Sequence, residues 1–446
     1  VKCSDYNVEV QSSVGFLLYN CIRNGLALLD NDTLPKYKKL IQDPTEADSD
    51  PLYEELLRGG CLIDSKISEF ELLKAFSRYM RFAPSKVTSI TIAPTSFCNL
   101  KCTYCYEEKK HFDNMDSNTG KAAGNFIKDL LKEYTQACQI TWFGGEPLLA
   151  IDTIEKVTED LRNYCIEKKI RYNANIVTNG VLLTREVAVQ LKEYGITGCQ
   201  ITLDGDRETH DARRPQKNGK GTFDKIIENI VEVHDLLKVN IRVNLDKSNC
   251  SAAFRILEIV EQHGLKNKVN FYFAAVNSNT DACCNLAPLC FSPHEFATLE
   301  VELLQLATER GFKINKYPRF KPFACGAINS NNFLIGPTGE VWKCWHTLGQ
   351  TEEAIGNVFE PLKFNHVWAK WISWEAYDLD ECRKCKVLPL CSGGCPWQWM
   401  RYLDNPDMNQ IPCWSFRYNL PKLLELKAKQ ELQEKGVVLP FSKVSG

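Results

Sequence analysis

Between about Val87 and Val276, six short β-rich runs alternate with stretches of helical periodicity, and this alternation constrains the fold more than any other feature. The runs are VTSITIAP (87–94), QITWFGG (139–145), RYNANIVTNG (171–180), GCQITLDG (198–205), NIRVNLD (240–246) and KVNFYFAAV (268–276). Amphipathic stretches such as GKAAGNFIKDLLKEY and TFDKIIENIVEVHDLL separate them. Strands joined through helices pair in parallel by right-handed crossovers. Six units fall short of the eight that close a TIM barrel, so the expected class is α/β, a partial (β/α)6 TIM-like barrel. Chemistry in such barrels sits on loops at the C-terminal ends of the strands.

The flanks have a different texture. In residues 1–85, GFLLYNCI and LALLD flank Arg23-Asn24-Gly25, and Asn-Gly favours a type I′ hairpin turn. Helical stretches follow, so a small winged-helix-like α+β unit is expected there. After Val276, an amphipathic helix over 292–311 leads into a region rich in Cys, Gly, Pro and Trp. Its apolar pattern is too irregular for a self-sufficient core, which points to metal. Leu420–Gly436 reads as a Lys/Glu-rich exposed helix. The expected boundaries are therefore 1–85, 86–285, 286–415 and 416–446.

Composition excludes some functions. Of 446 residues, 54 are Lys or Arg and 56 Asp or Glu, so the basic face of a nucleic-acid binder is not expected. No apolar run reaches the ~18 residues of a membrane span. Val1–Val14 lacks the basic-then-apolar layout of a signal peptide. A cytoplasmic protein is expected. The 20 cysteines, against 7 histidines, then point to metal or redox chemistry in a reducing compartment rather than to disulfides.

Directly after the first strand comes Cys98-x3-Cys102-x2-Cys105. Three thiolates this close can hold three corners of a [4Fe–4S] cubane and leave the fourth iron open to a small chelating molecule. A four-ligand zinc site is the alternative, with His111 as the nearest, poorly spaced, fourth ligand.

With Tyr104 before the last cysteine, this triplet resembles the signature of the radical S-adenosylmethionine (SAM) superfamily. Gly144-Gly145-Glu146-Pro147, after the second strand, resembles that superfamily's GGEP loop, where backbone meets the methionyl ammonium of the cofactor. Thr202-Leu-Asp204-Gly205, His210-Asp211, Arg213-Arg214-Pro215 and GKGTFD are similar to a run of the branch that modifies peptides and proteins. The resemblance implies that Tyr104, Gly144, Gly145, Glu146, Thr202 and Arg214 bind SAM, Thr202 at the ribose and Arg214 at the carboxylate. It also implies reductive cleavage of SAM to a 5′-deoxyadenosyl radical, fed by a low-potential donor such as flavodoxin or ferredoxin.

A second set, Cys325, Cys344, Cys382-x2-Cys385-x5-Cys391-x3-Cys395 and Cys413, resembles a SPASM domain with two auxiliary clusters. The resemblance assigns Cys382, Cys385, Cys391 and Cys413 to one cluster and Cys325, Cys344 and Cys395 to the other, giving three [4Fe–4S] clusters in all. Zinc remains the alternative ligand. The second of these sets is one cysteine short, because Arg319 stands where relatives carry a ligand. Either Cys283, Cys284 or Cys290 completes it, or one iron stays open.

SPASM-bearing radical enzymes act mostly on peptides or proteins. In sulfatase maturases an Asp base follows the equivalent of Cys344; here Trp345 follows it. The preferred expectation is a maturase that crosslinks a ribosomally made precursor peptide or rearranges or excises part of its backbone, with residues 1–85 as a leader-binding clamp, as a relic beside a separate clamp protein, or as a scaffold that covers the barrel. Formylglycine formation on sulfatases is the alternative, and a multi-cluster electron-transfer or peptide-binding protein a further one. No catalytic base is assigned; His346 could titrate near neutral pH and is a candidate, with a structural histidine as the alternative. Trp142, Trp345, Trp397 and Trp399 either line a peptide groove or shield clusters.

Overall fold

The computed structural model describes residues 1–42, 51–107, 113–277, 281–313, 317–406 and 411–435, apart from the side chains of 281–284 and 435. His111 lies outside the described residues. The chain divides into two compact units, one of residues 1–83, 292–325 and 375–446, the other of residues 84–291 and 326–374.

In the first unit, β1 (Lys2–Cys3) pairs with β5 (Leu62–Ile63). A meander of β2 (Asn7–Ser12), β3 (Gly15–Asn20) and β4 (Leu26–Leu29) stands beside it. The hairpin expected around Asn24-Gly25 forms, but its connection is the longer loop Cys21–Gly25. Asn24 takes the left-handed conformation (φ 58°) and donates its backbone N–H to the Asn20 carbonyl at 2.9 Å. The buried Asn20 side chain sets this loop by accepting from the N–H groups of Ile22 and Arg23. Leu18, Leu29, Tyr37, Leu52 and Leu56 pack the core between meander and helices.

Helix Pro293–Glu309 opens on a capping box, Ser292 with Glu295, which satisfies two free backbone donors. It packs against helix Phe416–Lys435. That last helix departs from the exposed one read in the sequence. Leu420, Leu423, Leu424 and Ala428 are buried, and buried Glu300 accepts from Ser415 and Asn419. Its many Lys and Glu residues mask the apolar stripe.

The second unit holds a nine-stranded sheet in the order β11-β10-β9-β8-β7-β6-β12-β13-β14. Strands β6 (Val87–Ile92), β7 (Ala137–Trp142), β8 (Arg171–Thr178), β9 (Ile196–Thr202), β10 (Lys238–Leu245) and β11 (Asn270–Ala275) follow chain order and pair in parallel. All six expected strands are present, and the sheet has two ends, the open partial barrel of the α/β class. Beyond the expectation, β12 (Asn332–Ile335) joins β6 in parallel, and β13 (Glu340–Trp342) and β14 (Gly356–Asn357) extend the edge antiparallel. These runs are too short, and too embedded in Gly and Cys, to stand out as strands in the sequence.

The parallel strands alternate in burial. Ile90, Ile140, Ile176, Ile201 and Ile241 are buried on one face, while Thr91, Thr141, Gln200, Thr202 and Arg242 of the other are only half-buried. A closed TIM barrel fills its interior with branched apolar side chains. Here the inner face is polar instead. Among the described residues, no helix is long and apolar enough to cross a membrane.

Candidate functional site: a cysteine-lined cavity at the strand ends

The C-terminal ends of β6 to β11 open onto one cavity of about 590 Å³. Its wall includes Cys98, Cys102, Tyr104 and Cys105 after β6, Gly144 and Gly145 after β7, Asn179 after β8, Thr202, Arg214 and Asn244. Residues far apart in the chain are thus brought to one mouth by strand direction alone.

The cysteine loop is held by backbone on two sides. Lys101 and Thr103 donate N–H groups to the carbonyls of Pro215 and Arg213, each at 2.9 Å. On the other side Gly145 donates to Thr95 at 3.1 Å and Glu146 to Phe97 at 2.8 Å. This contact explains the two glycines. Gly144 has φ 111°, and a Cβ there would overlap the Thr95 carbonyl oxygen; one on Gly145 would overlap that of Phe97. The glycines therefore serve a close backbone approach to the cysteine loop.

All three thiols are half-buried, and burial raises their pKa values, Cys98 to about 11 and Cys105 to about 12. Burial also raises Cys102, with Arg214 opposing it. Cys98 Sγ accepts from the Leu100 N–H at 3.5 Å and from Asn179 Nδ2 at 3.9 Å. Buried thiols favour the thiolate only beside a cation or metal, so this donor set, with the Leu100 N–H and the Asn179 amide aimed at sulfur, fits an iron–sulfur cluster. Among the described residues, no three His, Cys, Asp or Glu side chains converge on a single-ion position.

Arg214 is buried and donates to the Tyr104 hydroxyl at 2.7 Å. Its position rests on a relay of hydrogen bonds. The Asp204 N–H donates to His210 Nδ1 at 3.2 Å, which assigns the proton to Nε2, facing Thr222 Oγ1 at 3.1 Å. Thr222 Oγ1 in turn donates to the Arg214 carbonyl at 2.8 Å. Asp211 accepts from the N–H groups of Thr222 and Phe223 and caps the helix Phe223–Val233. Arg213 pairs with Asp246 at 2.7 Å. The His-Asp-x-x-Arg and Gly-Thr-Phe-Asp motifs are thus one scaffold that presents Arg214.

Residues 92–249 match the radical SAM superfamily model. The chain carries a radical SAM domain. Over 385 residues it is 26% identical to a cysteine-type anaerobic sulfatase-maturating enzyme of Clostridium perfringens, covering 76% of this chain and 98% of that one. Over 295 residues it is 29% identical to the Fe-coproporphyrin III synthase of Methanosarcina barkeri, covering 65% of this chain and 66% of that protein. Among solved structures, SuiB of Streptococcus suis bound to its precursor peptide SuiA shares the fold, with TM-score 0.56 and 16% identity over 93% of this chain and 99% of that one. The radical SAM domain marks the chain as an enzyme, and that superfamily works with S-adenosylmethionine and a [4Fe–4S] cluster.

Within the radical SAM domain, Glu146 stands apart from the cavity wall. It is fully buried and accepts from Leu148 N–H at 3.1 Å, Thr178 Oγ1 at 2.7 Å and Asn179 N–H at 2.7 Å. It ties the loops after β7 and β8 together. Burial raises its pKa against these bonds. His346 does line the cavity, its ring 5.4 Å from that of Tyr106 and its Nδ1 3.7 Å from Cys344 Sγ. Of the four tryptophans singled out in the sequence, Trp345 lines this cavity, stacked 4.4 Å from Phe143, whereas Trp142 is fully buried. Sequence reasoning missed Tyr106, Gln200, Arg242 and Asn244 on the wall. For Gln200, Arg242 and Asn244 the signal was the polar half of the strand alternation; Tyr106 follows the cysteine triplet outside any strand.

In the other unit, Cys382, Cys385, Cys391 and Cys413 line a second, small cavity with Trp399, Trp414 and Arg417. Ser392, Gly393 and Gly394 all have positive φ, a left-handed run that turns the chain tightly between Cys391 and Cys395. Arg417 donates to Cys413 Sγ at 3.2 Å, and burial pushes the Cys382 and Cys391 thiols up to about 12. Cys395 stands at the N-cap position of helix Pro396–Asp404, and burial, with the charge of Cys325 acting in the same direction, raises its thiol to about 11. Cys344 belongs to the radical SAM unit, at the end of β13. Cys290 is half-buried, and the side chains of Cys283 and Cys284 lie outside the described residues.

Proposed function

We propose that this enzyme modifies a residue of a ribosomally made precursor peptide, leading to a crosslink or a backbone rearrangement. The observation that carries this reading is the convergence of Cys98, Cys102, Cys105, Gly144, Gly145, Thr202 and Arg214 on one cavity that also presents an aromatic wall, Phe143 and Trp345. In this reading Cys98, Cys102 and Cys105 hold the cluster, Thr202 and Arg214 hold SAM at its ribose and carboxylate, and Tyr104 and Glu146 position the loops around them. Cluster and SAM, when bound, supply an electron and the 5′-deoxyadenosyl radical that removes a hydrogen atom from a substrate C–H bond. The cavity walls orient the substrate and exclude water.

Cys382, Cys385, Cys391 and Cys413 would hold one auxiliary [4Fe–4S] cluster, and Cys325, Cys344 and Cys395 another. The cavity that Cys382, Cys385, Cys391 and Cys413 line together supports the first of these. Residues 1–85 are read as a clamp-like unit, 86–285 as the radical SAM barrel, 286–415 as the SPASM domain and 416–446 as a terminal helix and tail. The peptide-bound SuiB, similar over 93% of this chain, supports a peptide substrate. A low-potential flavodoxin or ferredoxin, a separate leader-binding protein and a cytoplasmic setting complete the reading.

The sulfatase maturase of Clostridium perfringens supports formylglycine formation as a second reading. Trp345, packed on Phe143 after Cys344, offers no carboxylate base there, and this favours peptide maturation. The test is anaerobically reconstituted protein with dithionite, SAM and either a precursor peptide encoded beside the gene or a sulfatase peptide. 5′-Deoxyadenosine with a mass change on the precursor peptide is expected. Formylglycine on the sulfatase peptide alone would reverse the ranking.

A further inference from the structure

Arg242 lies on the polar face of β10, in register with Thr202 on β9 and Tyr272 on β11, and it lines the cavity. Its guanidinium is held in place from two sides. Nε donates to Asn244 Oδ1 at 2.7 Å, and the group lies 5.9 Å from the centre of the Tyr272 ring. Tyr272 is itself fixed by its hydroxyl donating to Gln200 Oε1 at 2.6 Å. The two outer nitrogens donate to no acceptor among the described residues, and with Arg242 lining the cavity the fork is available to a ligand.

The neighbouring arginines have other assignments: Arg213 pairs with Asp246, and Arg214, held by the Tyr104 hydroxyl, is the one proposed for the SAM carboxylate. Arg242 forms no ion pair with any carboxylate among the described residues, although Glu107 shares the same wall. A half-buried cation without a counter-ion is costly, and a planar carboxylate matches its fork with two parallel hydrogen bonds. We propose that Arg242 is a specificity-determining residue that binds a carboxylate of the substrate, distinct from the SAM carboxylate assigned to Arg214. Phe143, Val177 and Trp345 on the same cavity wall then pack an apolar neighbour of that acidic group. This inference rests on the peptide-modifying reading for the nature of the chain that carries the carboxylate, either a Glu or Asp side chain or a peptide C-terminus.

The test uses the reconstituted, SAM-loaded enzyme and calorimetric titration with small probes. One is an acetylated, amidated alanine pentapeptide with glutamate at its centre, and the second is its glutamine analogue. The third is acetylated penta-alanine with a free C-terminus, and the last is glutarate. The glutamate peptide or the free-acid peptide is expected to bind at least about tenfold tighter than the glutamine peptide, and which of the two does so identifies the source of the carboxylate. Arg242→Gln should abolish the preference while SAM affinity stays within about twofold, and Arg242→Lys should keep part of it. Equal binding of all peptides overturns the subsite and leaves the peptide reading standing. Glutarate binding that depends on Arg242, without any peptide binding, keeps the subsite and removes the peptide reading. Weakened SAM binding with the preference intact, or no binding of any probe, overturns the inference.

Discussion

Tyr104, one residue before the last cysteine of the triplet, donates its hydroxyl to the buried carboxylate of Asp204, beyond the end of β9. The same oxygen accepts from Arg214 and from Asn244 Nδ2 at 3.2 Å. One aromatic side chain thus links the cysteine loop to Arg214 and to two strand ends. Its burial, first, and Asp204 raise the pKa of the phenol, so it stays a donor throughout the working range.

Tyr104→Phe should remove that link without disturbing the ring. Asp204 loses one buried donor, and Arg214 loses its acceptor. A stability loss of about 1–3 kcal/mol is expected in urea unfolding, together with weaker SAM binding in titration. Unchanged SAM affinity would show that the network does not position Arg214.

Gly145→Ala should be more damaging than its size suggests. The added methyl meets the Phe97 carbonyl oxygen, which is backbone and cannot turn aside. The cysteine loop and the turn after β7 must separate. A displacement of about 1 Å near reacting groups costs roughly 100-fold in rate, so 5′-deoxyadenosine formation should fall by about that factor, with the fold retained by circular dichroism.

His210 gives a pH dependence with a definite sign. Burial, reinforced by Arg214 and Arg213, holds its pKa well below the usual 6.5. Below about 6.5 the unfolded chain takes up a proton that the folded chain refuses, so the contribution of His210 is complete above that pH and is lost as pH falls from there. Unfolding free energy measured from pH 7.5 to 5.5 should decline, and His210→Gln should flatten the decline. A parallel slope in the variant would place the titration elsewhere.

The auxiliary assignment predicts an iron count. The Cys382→Ala/Cys385→Ala variant should fall from about twelve to about eight iron atoms per chain, because one cubane loses two corners. SAM binding at the first site should persist. Stoichiometric zinc in the parent protein, lost in the variant, would replace the cluster with a structural zinc site.

Legibility differed between parts of the molecule for physical reasons. The six parallel strands and the cysteine triplet were plain because a two-residue alternation and a short-range ligand spacing are local properties of the chain. Strand β12 was not, since four residues, Asn332–Ile335, become a strand only by pairing with β6. The buried stripe of Phe416–Lys435 was hidden by surrounding Lys and Glu and emerges only against helix Pro293–Glu309.

The sequence by itself determined the class of chemistry: which thiols are close enough to share a cluster, and which loop carries two glycines. Tertiary structure alone decided why those glycines are there, that Glu146 braces loops behind the wall, and that Arg242 faces the cavity with its fork unmatched. Ligand spacing is written along the chain. Close approach and charge balance arise only when strands distant in sequence bring their ends to the same place.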